Sequence, residues 1–437
     1  MKRATTSRDK ARERGRERSS EMLGFRYLSD EKLQGLSYYK YSCIETNPLT
    51  IYFFQPWWRT VVQVVPLWVA PNLLTLVGFL FHFSIFLLFS FYDYSFFATG
   101  SSLAGRIPVW VWLYSAVAHF TGHTLDGIDG KQARRTKSSS PLGELFDHGL
   151  DSVVCVFIPL ILYSVVGRGQ WGCSPAEGYW TAMVFMFGFY LSHWEKYITG
   201  TVYLPWVYDT GELVIPIVYF ITGAFGVELW QFSLMPGLTC SDAFRYGIYV
   251  GAVFSVFSTA YNIFLFFKSS ANYAEDYSTT SISNTILGTS PSSSTSEGAA
   301  GGRNSNRSFV QLYLPLLPMC LLVLVFSIWG MYSPSDVLEK DPRAFMLTIG
   351  MVFSNIACRL MISQMAGYTP DYINYLLCPV VLAMGISFAL PQYELVILYG
   401  LLVAVLLAHL HYGCSVVYEL CCHYNIYAFS LSKPPPH

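Results

Sequence analysis

Ten stretches of about twenty mostly apolar residues constrain what this 437-residue chain can fold into. A helix needs about 20 such residues to cross the hydrocarbon core of a bilayer. By the usual hydropathy window they fall near 68–92, 108–128, 147–167, 179–199, 211–230, 246–268, 309–331, 344–366, 371–390 and 395–419. The expected fold class is all-α: a polytopic integral membrane helical bundle of about ten transmembrane helices with an N-terminal interfacial segment. The composition points the same way, with 53% hydrophobic and only 13% charged residues, outside the balance of a soluble domain.

The remaining segments divide the chain. Residues 1–24 open with eight Lys and Arg against three acids over MKRATTSRDKARERGRER. No apolar core follows directly, so this is read as a disordered basic cytosolic tail and not as a secretory signal; it suits anionic headgroups. Residues 25–67 mix Tyr38, Tyr39, Tyr41, Trp57, Trp58 and Arg59, as an interfacial amphipathic segment does. Residues 68–268 hold the first six spans and 309–420 the last four, while 269–308, rich in Ser, Gly and Asn, reads as a flexible cytosolic linker and 421–437 as a cytosolic tail. The ten cysteines show no metal-ligand spacing, and most lie in apolar runs. Only Cys173 and Cys240 fall in polar connections on one side, where a disulfide between them is an expectation to test.

With a cytosolic N-terminus and ten crossings, Arg106, Arg168, Arg245, Lys340 and Arg343 are the lumenal basic residues, leaving 22 of the 27 on the cytosolic side. That bias satisfies the positive-inside rule. Both termini and the stretch between the second and third spans, LDGIDGKQARRTKSSSPLGELFDHGLDS, then face the cytosol.

This stretch carries the chemistry. Asp126 and Asp129 are three residues apart, and Asp147 and Asp151 four apart, so each pair shares a face if its helix continues. Four carboxylates brought together at low dielectric need compensating positive charge, and hard divalent cations such as Mg²⁺ or Mn²⁺ supply it through oxygen ligands. Gly127, Gly130 and Gly143 fit close backbone approach to a bulky anion. Pro141 marks RRTKSSSP as a short turn-back connection. Lys131, Arg134, Arg135 and Lys137 are candidates for phosphate oxygens, Arg134 foremost because it lies one turn past Asp129-Gly130. Glu144 and His148 are four apart, a spacing that lets a carboxylate orient an imidazole acting as general base. DGIDGK lacks the third acid and terminal Glu of an EF-hand, and no GxxxxGK precedes a Ser or Thr as in a P-loop.

Asp126-x-x-Asp129-Gly130-x-x-Ala133-Arg134, eight residues, then Gly143-x-x-x-Asp147-x-x-x-Asp151 resembles the full signature of the CDP-alcohol phosphotransferase family. NPLTIYFFQPWW and APNLLTLVGF upstream, with LSHWEKYITG, SPSD and AHLHYG downstream, are similar to the eukaryotic choline and ethanolamine phosphotransferases, and SCIETNPLTIYFF, LPWVYD and HYNIYAFSLSKP look more like the ethanolamine branch.

The resemblance implies transfer of phosphoethanolamine from CDP-ethanolamine to the hydroxyl of diacylglycerol, giving phosphatidylethanolamine and CMP. CDP-choline is the alternative donor. It implies that Asp126, Asp129, Asp147 and Asp151 hold two Mg²⁺ or Mn²⁺ ions, that Gly130, Lys131, Ala133, Arg134 and Gly143 contact phosphate and cytidine, and that the base is either Asp151, as read across the family, or His148, directly after the third aspartate; His148 partnered by Glu144 is preferred, because an aspartate that ligates a cation is a poorer base. Asn72, at the start of the first span, is a candidate for the nucleotide pocket or else a cap of that helix. His193 and Glu195 of SHWEKY read as interface anchors, and His409 and His411 are assigned to no chemistry. A homodimer, an endoplasmic reticulum location with the Golgi as alternative, and no nucleic-acid partner complete the expectations. A membrane carrier would scatter its acids through midplane positions, and a catalytically silent lipid-binding scaffold would show a broken signature; neither pattern is present.

Overall fold

The computed structural model describes residues 25–99, 106–204, 206–287 and 308–433. The basic tail (1–24), the later part of the expected linker (288–307) and residues 434–437 lie outside the described residues.

Among the described residues, twelve α-helices of seven or more residues follow one another: α1 (Asp30–Leu36), α2 (Gln55–Val64), α3 (Pro71–Tyr92), α4 (Val109–Arg135), α5 (Pro141–Val166), α6 (Pro175–Thr199), α7 (Trp206–Phe225), α8 (Cys240–Leu287), α9 (Leu317–Tyr332), α10 (Pro342–Ala366), α11 (Leu377–Ala389) and α12 (Glu394–Tyr424). The all-α membrane bundle is thus observed, and each of the ten apolar segments contains a helix. Among the described residues, six helical segments are long and apolar enough to cross a membrane: Pro71–Tyr92, Pro141–Val166, Cys240–Ser269, Val310–Tyr332, Pro342–Ala366 and Pro391–Tyr424. In the other four segments, α4 and α6 carry internal acids and bases, α7 carries Asp209 and Glu212, and α11 has 13 residues. The 269–308 stretch begins as a continuation of α8, which runs helically to Leu287.

Helix ends follow local chemistry. Pro71, Pro141, Pro175 and Pro342 each stand in a first turn, where the missing N–H is no loss. Ser174 and Glu177 close a reciprocal capping box at the start of α6, and Gly200 at φ 77° ends that helix.

Buried along most of its length, α10 forms the axis, with α5, α6, α9, α12 and the short α1 packed around it. A second group, α2, α4 and α7, joins this bundle through α3, which packs along both α4 and α5. A two-residue parallel pairing of Cys43–Ile44 with Val202–Tyr203 ties the N-terminal segment to the turn after α6. Arg343, expected in a lumenal loop, is instead buried: it donates to the carbonyls of Tyr94 (2.8 Å) and Asp93 (2.7 Å) and to Ser164 Oγ (3.2 Å), clamping the ends of α3 and α5. Cys173 and Cys240 are both free thiols, so the disulfide expected between them is not formed.

Candidate active site

The aspartates come from two helices that are longer than hydropathy suggests. α4 continues past Asp126 and Asp129 to Arg135, because polar residues and single glycines end a hydrophobic run without ending a helix. It stops when Lys137 adopts a left-handed backbone (φ 56°) and the Lys137 and Ser138 N–H groups bond back to the Arg134 and Ala133 carbonyls at 3.3 and 2.9 Å, a Schellman-type closure. The turn-back connection shrinks to residues 136–140. Ser140 caps α5 by accepting from the Gly143 N–H, and Pro141 follows in its first turn, so Gly143, Glu144, Asp147, His148 and Asp151 all stand on one helix.

Ligand oxygens of Asp126, Asp129 and Asp147 lie within 4.8 Å of one another. Asp151 stands one turn further along α5. Asp129 is held by α3, where the Thr75 hydroxyl donates to its Oδ2. Asp147 Oδ1 is buried with no hydrogen-bond partner. Among the described residues, no Lys or Arg forms an ion pair with any of the four. An all-oxygen donor set, one atom of it unsatisfied, fits a hard divalent cation.

The flanking residues are arranged less uniformly. A Cβ built on Gly130 would meet only Arg134 Nη1, at 3.8 Å, so the exposed Arg134 guanidinium lies near an open backbone surface. One on Gly143 would meet Asn72 Oδ1 at 3.5 Å. Gly127 serves a different purpose, since its missing Cβ lets the Trp58 indole of α2 pack on α4. Lys131 is turned the same way, donating to Gln55 Oε1 at 2.8 Å and standing over the Trp58 ring. Ala133, half-buried, contributes its carbonyl to the end of α4. Asn72 does not cap α3, whose cap position is Ala70; its Nδ2 donates to the Ala428 carbonyl at 2.9 Å and ties the C-terminal segment to the site.

His148 lies beside Asp147, with Nε2 3.8 Å from Oδ2, and its ring meets that of His193 edge-on at 5.2 Å. Glu144 is not its hydrogen-bond partner. The Glu144 Oε1 accepts from the buried Lys196 ammonium and from the Tyr39 hydroxyl at 2.7 Å. A buried ammonium needs an anion, and Glu144 is that anion. Burial and the Glu144 carboxylate raise the Tyr39 phenol well above its ordinary value, so it remains a donor.

His193, Glu195 and Lys196 are buried, which overturns the reading of SHWEKY as an interface anchor. Thr259 and Asn262 satisfy Glu195, while His193 and Lys196 face the α5 residues of the site. Thr75, Tyr39 and Lys196 were missed in the sequence. For Lys196 a signal existed: a cation and an acid side by side in an otherwise apolar segment demand partners.

Residues 68–225 match the model of the CDP-alcohol phosphatidyltransferase family. Ethanolaminephosphotransferase 1 of Mus musculus is 40% identical over 416 residues, covering 94% of this chain and 96% of that protein, and the Homo sapiens protein of that name is 40% identical over 415 residues with the same coverage. Choline/ethanolaminephosphotransferase 1 of Arabidopsis thaliana is 28% identical over 429 residues, 93% of this chain and 99% of that protein. With its signature complete, its carboxylates gathered at one point and relatives aligned along nearly its whole length, the chain is a multi-pass membrane enzyme that belongs to the CDP-alcohol phosphatidyltransferase family.

Proposed function

We propose that the protein transfers phosphoethanolamine from CDP-ethanolamine to diacylglycerol, forming phosphatidylethanolamine and releasing CMP. The observation that carries this reading is the convergence of Asp126, Asp129 and Asp147, with Asp151 one turn on, where no Lys or Arg among the described residues forms an ion pair with them. Ethanolamine is preferred over choline because the relatives with 40% identity are named for it, whereas those named for choline, or for both headgroups, stand at 27–30%.

The four aspartates would hold two ions, Mg²⁺ or Mn²⁺, which when bound neutralise the pyrophosphate and the departing CMP phosphate. Gly130, Gly143 and Ala133 leave room for the donor's backbone-facing side, Arg134 offers a bidentate guanidinium to phosphate oxygens, and Lys131 adds charge from the α2 side. Asn72 lines the same mouth next to Gly143. His148 takes the proton of the acceptor hydroxyl as the oxygen–phosphorus bond forms and the bond to CMP breaks. It is a better base than Asp151, because a carboxylate bound to a cation loses proton affinity. Glu144, one helical turn before His148, is held by Lys196 and Tyr39 and so fixes the start of the helix that carries the base.

The site and both termini face the cytosol of the endoplasmic reticulum membrane, with the Golgi as a second location, and the protein works as a homodimer. Purified protein given diacylglycerol and either CDP-ethanolamine or CDP-choline, in parallel, tests the headgroup: faster CMP release with CDP-ethanolamine is expected, and a choline preference overturns the assignment. His148→Ala should lower turnover by about 10²–10⁴ with CDP-alcohol binding retained. Near-normal turnover would return the base role to Asp151. A glycosylation acceptor placed within 288–307 should stay unmodified if that stretch is cytosolic.

A further inference from the structure

A second group of ligand-type side chains lies one to two helical turns deeper on α4. His82 of α3, His119 of α4 and Glu212 of α7 each place one ligand atom within 4.8 Å of the others, and all three are buried. Glu212 Oε2 is 3.0 Å from His119 Nε2 and 3.6 Å from His123 Nδ1, so a third imidazole reaches the same oxygen. None of these residues belongs to the aspartate signature.

His82 is oriented as a ligand, and His119 Nε2 and His123 Nδ1 face Glu212. His82 Nδ1 lies 3.1 Å from the Gly78 carbonyl, which can only accept, so this nitrogen carries the proton and the lone pair of the neutral ring is on Nε2. That Nε2 is buried and unpartnered, as are His119 Nδ1 and His123 Nε2. A carbonyl fixing one ring nitrogen while the other points into a cluster is the outer-shell pattern of metal-bound histidine. A Cβ on Gly122 would lie 2.5 Å from His82 Cε1, so glycine there is what admits the ring. The rings of Phe54 and Trp58 pack on His123, and that of Tyr219 packs on His119. Three histidines and a glutamate in an apolar bundle are costly, and a single shared proton leaves three ring nitrogens unsatisfied.

We propose that His82, His119 and Glu212, with His123 as fourth ligand, form a site for a transition-metal ion of the Zn²⁺ type that ties α3, α4 and α7 together. Three nitrogens and one oxygen select such an ion over Mg²⁺, and four protein ligands leave no open position, the mark of a structural site. The ion displaces the proton between His119 and Glu212, which passes to solvent. The site stands whether the headgroup is ethanolamine or choline.

The test is zinc content by mass spectrometry of the full-length, detergent-purified protein after washing in excess Mg²⁺. About one zinc per chain is expected, with X-ray absorption giving nitrogen and oxygen neighbours at about 2.0–2.2 Å and imidazole scattering. Zinc should persist in Asp126→Asn and be lost in His82→Ala and Glu212→Gln. Should those two variants fail to fold, the wild-type absorption spectrum decides alone. No zinc above the level of a Mg²⁺-washed control protein, or zinc that leaves with Asp126→Asn and stays with His82→Ala, overturns the proposal.

Discussion

Asp126 and Asp129 stand on the same helix as His119 and His123, yet the two clusters they anchor are built on opposite terms. The carboxylates meet near the end of α4, partly open, with oxygen donors only and an exposed Arg134 close by. The imidazoles meet in the interior, packed on aromatic rings, with nitrogen donors around a single carboxylate. Hard oxygen ligands at an open mouth suit ions that must share their coordination with a substrate. A closed nitrogen-rich set suits an ion that holds helices and reacts with nothing. One helix thus carries two kinds of polar centre, with His119 about 10 Å of rise before Asp126.

The sharpest way to break this contrast is Asp147→Asn. It removes an anion from the open cluster alone, and turnover should fall by at least about 10²–10³, the loss typical of removing one group that stabilises transition-state charge. Thermal stability should be nearly unchanged; a protein that unfolds instead would show that the carboxylates hold the fold. Thr75→Val is the milder probe of the same cluster. Without its hydroxyl, Asp129 loses its hydrogen bond, and the Mg²⁺ concentration giving half-maximal rate should rise about 10–100-fold, as for other outer-shell changes.

Gly122→Ala addresses the closed cluster. The new methyl group occupies the space of the His82 ring, and overpacking of this kind costs about 1–3 kcal/mol. Calorimetry should show a lower Tm, while the Mg²⁺ dependence of the residual activity stays as in the wild type. A shifted Mg²⁺ dependence would mean that the clusters are coupled. The smallest effect belongs to Lys137→Gly, in the connection between the two helices. It relieves a left-handed residue worth about 1–2 kcal/mol and adds backbone freedom to the unfolded chain, so Tm, read by calorimetry, should change by only a few degrees.

Much of the open cluster was legible beforehand because its spacing is local. Asp126 to Asp129 and Asp147 to Asp151 are intervals within single helices, and a helix turns such intervals into shared faces wherever it packs. The apolar segments were legible for a similar reason, as length and hydropathy are properties of each segment by itself. The interval between Glu144 and His148 was just as clear and still misled. Lys196, 52 residues further on, is buried against Glu144 and takes the carboxylate that would otherwise face the histidine.

By itself, then, the sequence determined the helical membrane bundle, the two acid pairs and the place where the chain turns back, all of which depend on periods and runs inside one helix. Only the tertiary structure decided which partners those residues meet. Thr75 on Asp129, Lys196 on Glu144, Trp58 against Gly127 and His82 beside Glu212 are contacts between helices far apart in the chain. Buried charges and unpaired ring nitrogens must find complements somewhere, and where they find them depends on how the helices cross, which no local period encodes.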